Sequence, residues 1–432
     1  MCSVLGAPFS RMFKKTTLSN GLRIITVPQK NTQAVTVLVL VGTGSKYEKK
    51  GNNGISHFLE HMFFKGTKKR LTPLQIVEPL DKVGGIYNAF TGQEYTGYFA
   101  KVEVSQLELA LDWVSDIFLN STFPEKEIRK EKGVIIEEIH MLYDNPMSYI
   151  QTLWLKLLYG DQPAGWDITG TKENVMKMNR QEILDYKNKQ YAAENTIISV
   201  AGKIDTPAII KKVKKYFAKI KTVQTFKKPK VFEKQTKPNF LLHYRKTDQA
   251  HLCLGVRGFN LFHPLRYAFE ILGVILGGMM SSRLFIEVRE KLGIAYYIKT
   301  SAEADPDTGY LLTQAGVNNK NIEKAILTIL KEYKKISQKR VPILELKKAK
   351  DNIKGKLALL LESSDARASF FASQELLEKK ILTTKEIFAK IDKVRTNDII
   401  KVAKDIFKPE KLNLAIIGPF KKKERFKKLL KL

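Results

Sequence analysis

The sequence predicts an α+β fold of two homologous domains, each a mixed, mostly antiparallel sheet packed with helices on one side. Three observations lead there. Residues 16–220 and 239–432 carry strands and helices in the same order. Between them, 221–238 is rich in Lys, holds Pro and lacks any sustained hydrophobic period, so it reads as a linker. The chain has 432 residues and is 44% hydrophobic, enough for two cores and too much for a mainly disordered protein.

Residues 1–15 read as an N-terminal tail. They lack a charged segment followed by a long apolar stretch, so no secretory signal is expected. The β-branched runs 22–27 and 34–41 are strands, punctuated by Ser19-Asn20-Gly21 and Gly42-Thr43-Gly44. A helix follows at 55–64, and 72–83 reads as helical despite Pro79. Gly84-Gly85 opens a strand pair, 86–90 and 96–102, around a turn at 92–94. Residues 105–119 form an amphipathic helix, and Pro124 begins a long helix to about 144. A strand at 196–201 ends on Gly202, and a Lys-studded helix spans 207–220. After the linker, 249–256 corresponds to 34–41 and a helix at 263–277 to that at 55–64. The pair 295–300 and 308–317 matches 86–102; helices at 321–336 and 343–360 follow, and 413–417 echoes 196–201.

The formal net charge is +30, from 74 Lys and Arg against 44 Asp and Glu. Such a surplus raises nucleic acid or an anionic membrane as partners. Only 14 of the cations are Arg, whose forked guanidinium is the usual base and phosphate reader. A Lys surplus reads as a solvated surface, and no specific nucleic-acid partner is expected; the best basic patch is 421–428. The longest apolar run, 271–280, is ten residues, so no membrane span is expected. The cysteines, Cys2 and Cys253, predict no structural disulfide and a cytoplasmic location; Cys253 lies in a strand as a small hydrophobe.

The chemistry centres on His57-Phe58-Leu59-Glu60-His61. Positions i and i+4 share a helix face, so both imidazoles reach one ion, and Glu60 projects to the same side. This is the inverted zincin motif H-x-x-E-H. Imidazole nitrogens suit zinc, a catalytic zinc takes three protein ligands, and a carboxylate nearby can move protons. Five letters occur by chance, so a third ligand from another helix decides the matter. The helix at 125–144 offers Glu131, Glu137 and Glu138; Glu131 and Glu138 are seven apart and share a face. The run Val134-Ile135-Ile136 between them buries that part of the helix, where unpaired carboxylates are costly. One of Glu137 and Glu138 is then a solvated residue. His140, His243, His251 and His263 read as satisfied or surface histidines.

These residues resemble the signature of the pitrilysin family of zinc metallopeptidases. The resemblance rests on HFLEHMFFKGT, NGLRIITVP, GGIYNAFTGQEYTGYF, EKGVIIEEIHMLYDNP and LFIEVREKLGIAYYI. The half-length form is similar to the bacterial processing-peptidase-like branch and the mitochondrial processing peptidase β subunit. The resemblance implies one Zn2+ per chain, held by His57, His61 and Glu138, with Glu137 as the fallback, Glu60 as general base and Glu131 supporting from behind. It implies that Asn88 and Ala89 lie on an edge strand to which substrate adds as an extra strand. It implies that Arg289 anchors the substrate backbone and Tyr296 stabilises the developing oxyanion. The second domain has no H-x-x-E-H and reads as a catalytically inactive copy. The expected activity is hydrolysis of peptides or unfolded segments by a homodimer that closes a chamber. A non-proteolytic, chaperone-like relative is the alternative.

Overall fold

The first sheet forms because its inner strands are apolar on both faces. In β3 (Ala34–Val41), Val35, Val37, Val39 and Val41 point into one core while Leu38 and Leu40 point into another. A continuous apolar run of this kind marks a strand covered on both sides. In this computed structural model, which describes residues 12–432, β3 lies between β6 (Thr196–Gly202) and β5 (Thr96–Glu103). The remaining strands of this sheet are β1 (Lys14–Thr17), β2 (Arg23–Pro28) and β4 (Ile86–Thr91), giving the order β1-β2-β6-β3-β5-β4. Of the tail expected at 1–15, residues 1–11 lie outside the described residues, and Lys14 and Lys15 belong to β1.

The second sheet repeats the plan. Its strands are β7 (Asn239–Tyr244), β8 (Gln249–Arg257), β9 (Ala295–Ala304), β10 (Gly309–Asn318) and β11 (Leu412–Gly418), in the order β7-β11-β8-β10-β9. β2–β6 and β7–β11 are parallel pairs and the other pairings are antiparallel. Strand for strand, β2-β6-β3-β5-β4 maps onto β7-β11-β8-β10-β9, the duplication expected from the element order.

The helices of the first half are α1 (Ile55–Met62), α2 (Pro73–Asp81), α3 (Leu107–Asn120), α4 (Glu125–Asp144), α5 (Pro146–Tyr159), α6 (Lys172–Lys177), α7 (Arg180–Gln190) and α8 (Thr206–Tyr216). Those of the second are α9 (Arg266–Gly277), α10 (Ile322–Gln338), α11 (Ile343–Leu360), α12 (Ser364–Glu378), α13 (Thr384–Lys393), α14 (Thr396–Ile406) and the short α15 (Glu424–Lys427). Most pack on one face of their own sheet, as expected. Phe58, Trp113 and Phe118 fill the first core, and Phe269, Ile329 and Tyr333 the second.

The opposite faces are closed by an exchange of helices. α12, from the second half, lays Ala368, Phe371 and Ala372 on Ile25, Leu38, Leu40 and Ile197 of the first sheet. α5, from the first half, lays Ile150, Leu153 and Trp154 on Cys253, Leu312, Ala415 and Ile417 of the second. Buried ion pairs reinforce the junction. Lys46 is 1% exposed and its Nζ lies 3.1 Å from Glu94 and 2.5 Å from Asp305. Burial works against the Lys46 charge, but the two carboxylates outweigh it and its pKa is raised. The segment 221–238 has no helix or strand, yet Lys228 within it bridges Glu94 and Asp307.

Candidate active site

Helix α1 is set by its entrance. Gly54 has φ +99, a left-handed conformation that favours glycine, and a Cβ there would meet the Thr169 carbonyl oxygen at 2.7 Å. The Glu48 side chain accepts from the backbone N–H groups of Gly54 and Ser56, each at 2.8 Å, and from Asn53 Nδ2 at 2.9 Å. A carboxylate here satisfies amides that a helix N-terminus leaves unpaired. Burial nevertheless pushes the Glu48 pKa up.

With α1 held this way, Ile55, Phe58, Leu59 and Met62 enter the core. His57 and His61 stand on one face with ring centroids 4.7 Å apart. α4 crosses this face and supplies Glu138, whose Oε2 lies 3.5 Å from Nε2 of each histidine. One donor atom from each of the three residues falls within 4.8 Å of the others. Tetrahedral zinc with bonds of about 2.1 Å has ligand edges of about 3.4 Å, so the spacing and the donor set suit zinc. Glu137 points away, 80% exposed on its side chain, beside His140.

Behind the donors, Glu131 is buried and its Oε2 lies 3.1 Å from His61 Nδ1, while Lys65 Nζ donates to its Oε1 at 2.8 Å. In the neutral imidazole, a carboxylate on the Nδ1–H leaves the Nε2 lone pair, on the side of Glu138, free to ligate a metal. Burial alone would raise the Glu131 pKa, but His61 and Lys65 outweigh it and hold it down. Hydrogen bonds from His57 and then His61 hold Glu138 well below the usual carboxylate range. Burial disfavours the His61 cation, yet Glu131 and Glu138 together raise its pKa to about 9.

The sign of this last shift gives a testable pH dependence. His61 keeps its proton up to about pH 9 in the metal-free protein, and zinc needs the neutral imidazole. Apparent zinc affinity should weaken about tenfold for each unit that the pH is lowered below about 9 through the neutral range, with proton release on uptake. Zinc titration against a competing chelator checks this; an affinity independent of pH would contradict it.

Glu60 is half-buried, and its Oε2 accepts a hydrogen bond from Thr91 Oγ1 at 2.5 Å. Thr91 ends β4, an edge strand whose one partner among the described residues is β5 and which packs beside α1. On β4, Asn88 is exposed and Ala89 buried, and the Asn88 side-chain oxygen accepts from the Ala89 N–H at 2.9 Å. Arg289 and Tyr296 are both exposed, Tyr296 by 74%, and Arg289 stacks 5.0 Å from the Phe285 ring centre. Among the described residues, no hydrogen bond or ion pair joins either to His57, Glu60, His61 or Glu138.

The structure thus gathers His57, Glu60, His61, Glu131 and Glu138, and among the described residues neither Arg289 nor Tyr296 is bonded to them. Sequence reasoning missed Glu48, Lys65 and Thr91. Lys65 had a signal, since it stands four residues after His61, although α1 ends at Met62 and Lys65 lies just past it. His251 bonds the Tyr297 hydroxyl at 3.0 Å, and His263 stacks on Phe259 and accepts from the Leu265 N–H. His243 packs edge-on against Tyr143 and Tyr149. The reading of Val134-Ile135-Ile136 as a buried run needs correction: Ile135 is buried but Val134 is 49% exposed, because consecutive helical residues cannot face one side.

A duplicated α+β chain with an H-x-x-E-H helix and a glutamate from a second helix has the architecture of an inverted-zincin metallopeptidase. The chain belongs to peptidase family M16. Residues 23–172 match the family described as Insulinase (Peptidase family M16), and 177–353 match the Peptidase M16 inactive domain. The second match agrees with the lack of an H-x-x-E-H motif in that half. The uncharacterized zinc protease YmxG of Bacillus subtilis is 37% identical over 411 residues, 94% of this chain and 98% of that protein. An uncharacterized zinc protease of Rickettsia bellii is 33% identical over 410 residues, again 94% and 98%. A solved protease structure from Helicobacter pylori superposes with a TM-score of 0.88 at 25% identity, covering 94% of this chain and 99% of that one.

Proposed function

We propose that this protein is a zinc endopeptidase acting on peptides or unfolded polypeptide segments, with one Zn2+ per chain. The observation that carries the reading is the convergence of His57, His61 and Glu138 beside Glu60. Zinc, when bound, supplies Lewis acidity that polarises a scissile carbonyl and acidifies water. His57, His61 and Glu138 hold it, and Glu131 with Lys65 fixes the orientation of His61. Glu60 accepts a proton from the attacking water and delivers it to the leaving amine nitrogen. The free edge of β4, at Asn88 and Ala89, takes the substrate backbone as an added strand. Arg289 and Tyr296 act on the substrate carbonyl and backbone. Their exposure on the second half supports action in trans, across a homodimer. The two-cysteine count and the buried, free Cys253 support a cytoplasmic, reducing location.

The test is cleavage of a quenched peptide, with zinc content measured and products mapped by mass spectrometry. Activity should vanish with chelator and return with zinc. A zinc-replete protein that cleaves nothing would favour the non-proteolytic alternative. Mixing Glu60→Gln chains with Tyr296→Phe chains should restore part of the activity; no recovery would count against action in trans.

A further inference from the structure

We propose that Thr91 is a positioning residue for Glu60, and that the Glu94–Lys46–Asp305 bridge ties this hydrogen bond to the second half of the molecule. The inference rests on the reading of Glu60 as general base. A glutamate side chain has freely rotating torsions, so a base needs a partner to aim it. Thr91 is β-branched and ends a strand, so its χ1 is restricted and its hydroxyl points in a fixed direction. It donates to Glu60 Oε2 and leaves the other carboxylate oxygen free for the proton.

The turn after Thr91 is fastened more firmly than a surface hairpin requires. The backbone N–H groups of Ser45 and Lys46 donate to the carbonyls of Gly92 at 3.2 Å and Gln93 at 3.0 Å. Gln93 Nε2 donates to the Ala164 carbonyl at 3.2 Å. The approach is so close that a Cβ on Gly44 would lie 2.2 Å from the Gly92 oxygen. Glu94, in the same turn, is 5% exposed and takes Lys46 and Lys228. Both lysines reach on to the β9–β10 turn, Lys46 to Asp305 at 2.5 Å and Lys228 to Asp307 at 2.8 Å. A contiguous chain of contacts therefore runs from Glu60 through Thr91 and Glu94 to the hairpin of the second sheet. Any shift of the second half against the first acts on the turn that aims the base.

The experiment compares wild type, Glu60→Gln, Thr91→Val, Thr91→Ser and Asp305→Asn by steady-state kinetics, zinc titration and thermal unfolding. Thr91→Val should lower kcat about tenfold with KM within about twofold and zinc affinity unchanged. Thr91→Ser, which keeps the hydroxyl, should recover most of the lost kcat. Asp305 is 30% exposed on its side chain, so Asn is tolerated there; this variant should lower kcat by about threefold with zinc affinity unchanged. Wild-type kcat in Thr91→Val, or a Ser variant as slow as Val, overturns the role of Thr91. Wild-type kcat in Asp305→Asn overturns the tie to the second half. Full activity in Glu60→Gln sinks the general-base reading itself, independently of Thr91.

Discussion

Glu60→Gln should retain zinc while losing turnover by roughly 10²–10⁴-fold, the usual contribution of a positioned proton carrier. The separation of the two properties follows from the geometry. The donor group consists of His57, His61 and Glu138, and Glu60 is outside it. Gln keeps the length and shape of the side chain, and its amide oxygen can still accept from Thr91. What it lacks is the ability to take a proton. Loss of His61 would behave differently. It removes a donor and also strands Glu131, a buried carboxylate that would keep Lys65 as its one charged partner among the described residues. Parallel measurement of zinc stoichiometry and kcat distinguishes the cases. A Glu60→Gln protein that turns over within tenfold of wild type would place the base elsewhere.

Trp154→Ala should lower stability by about 3–5 kcal/mol, the range for truncating a fully buried Trp. Trp154 is 0% exposed on α5 and packs against strands of the other half, among Cys253, Leu312 and Ala415. Its Nε1 donates to the Asn413 carbonyl at 3.1 Å, and its ring meets Tyr310 edge-on at 5.0 Å. The second sheet is shaped around the indole: a Cβ on Gly255 would lie 2.7 Å from Trp154 Cζ2. Chemical denaturation followed by far-UV circular dichroism measures the loss. A shift under 1 kcal/mol would mean that α5 is not needed to close the second sheet.

Much of this site could be read in the sequence because its spacing is local. His57, Glu60 and His61 are fixed by helical period alone, and the shared face of Glu131 and Glu138 follows from their separation. The choice between Glu137 and Glu138 is different. They are neighbours on one helix, pointing about 100° apart, and only the packing of α4 across α1 decides which meets the histidines. Arg289 and Tyr296 became visible through resemblance, since nothing in their own spacing ties them to the donors. The strands were legible from β-branched runs, and β9 continues past its expected end at 300 to Ala304 because its partner β10 is equally long. Helices α5 and α12 went unread. Their apolar residues answer to sheets formed by the opposite half, and nothing in SDARASFFASQELLE names the surface it will cover.

That exchange has a consequence for how the molecule is made. As the chain leaves the ribosome, the first sheet is complete once Thr196–Gly202 has emerged. Leu38, Leu40 and Ile197 then face water until Ser364–Glu378 has been synthesised. For that interval the nascent protein displays a sheet-sized apolar surface of the kind that chaperones hold and that aggregates form on. Cutting the gene at the linker would make the condition permanent, since each fragment would keep a helix that belongs on the other. Co-expressed fragments, by contrast, carry interlocking arms and should reassemble into a tight noncovalent pair.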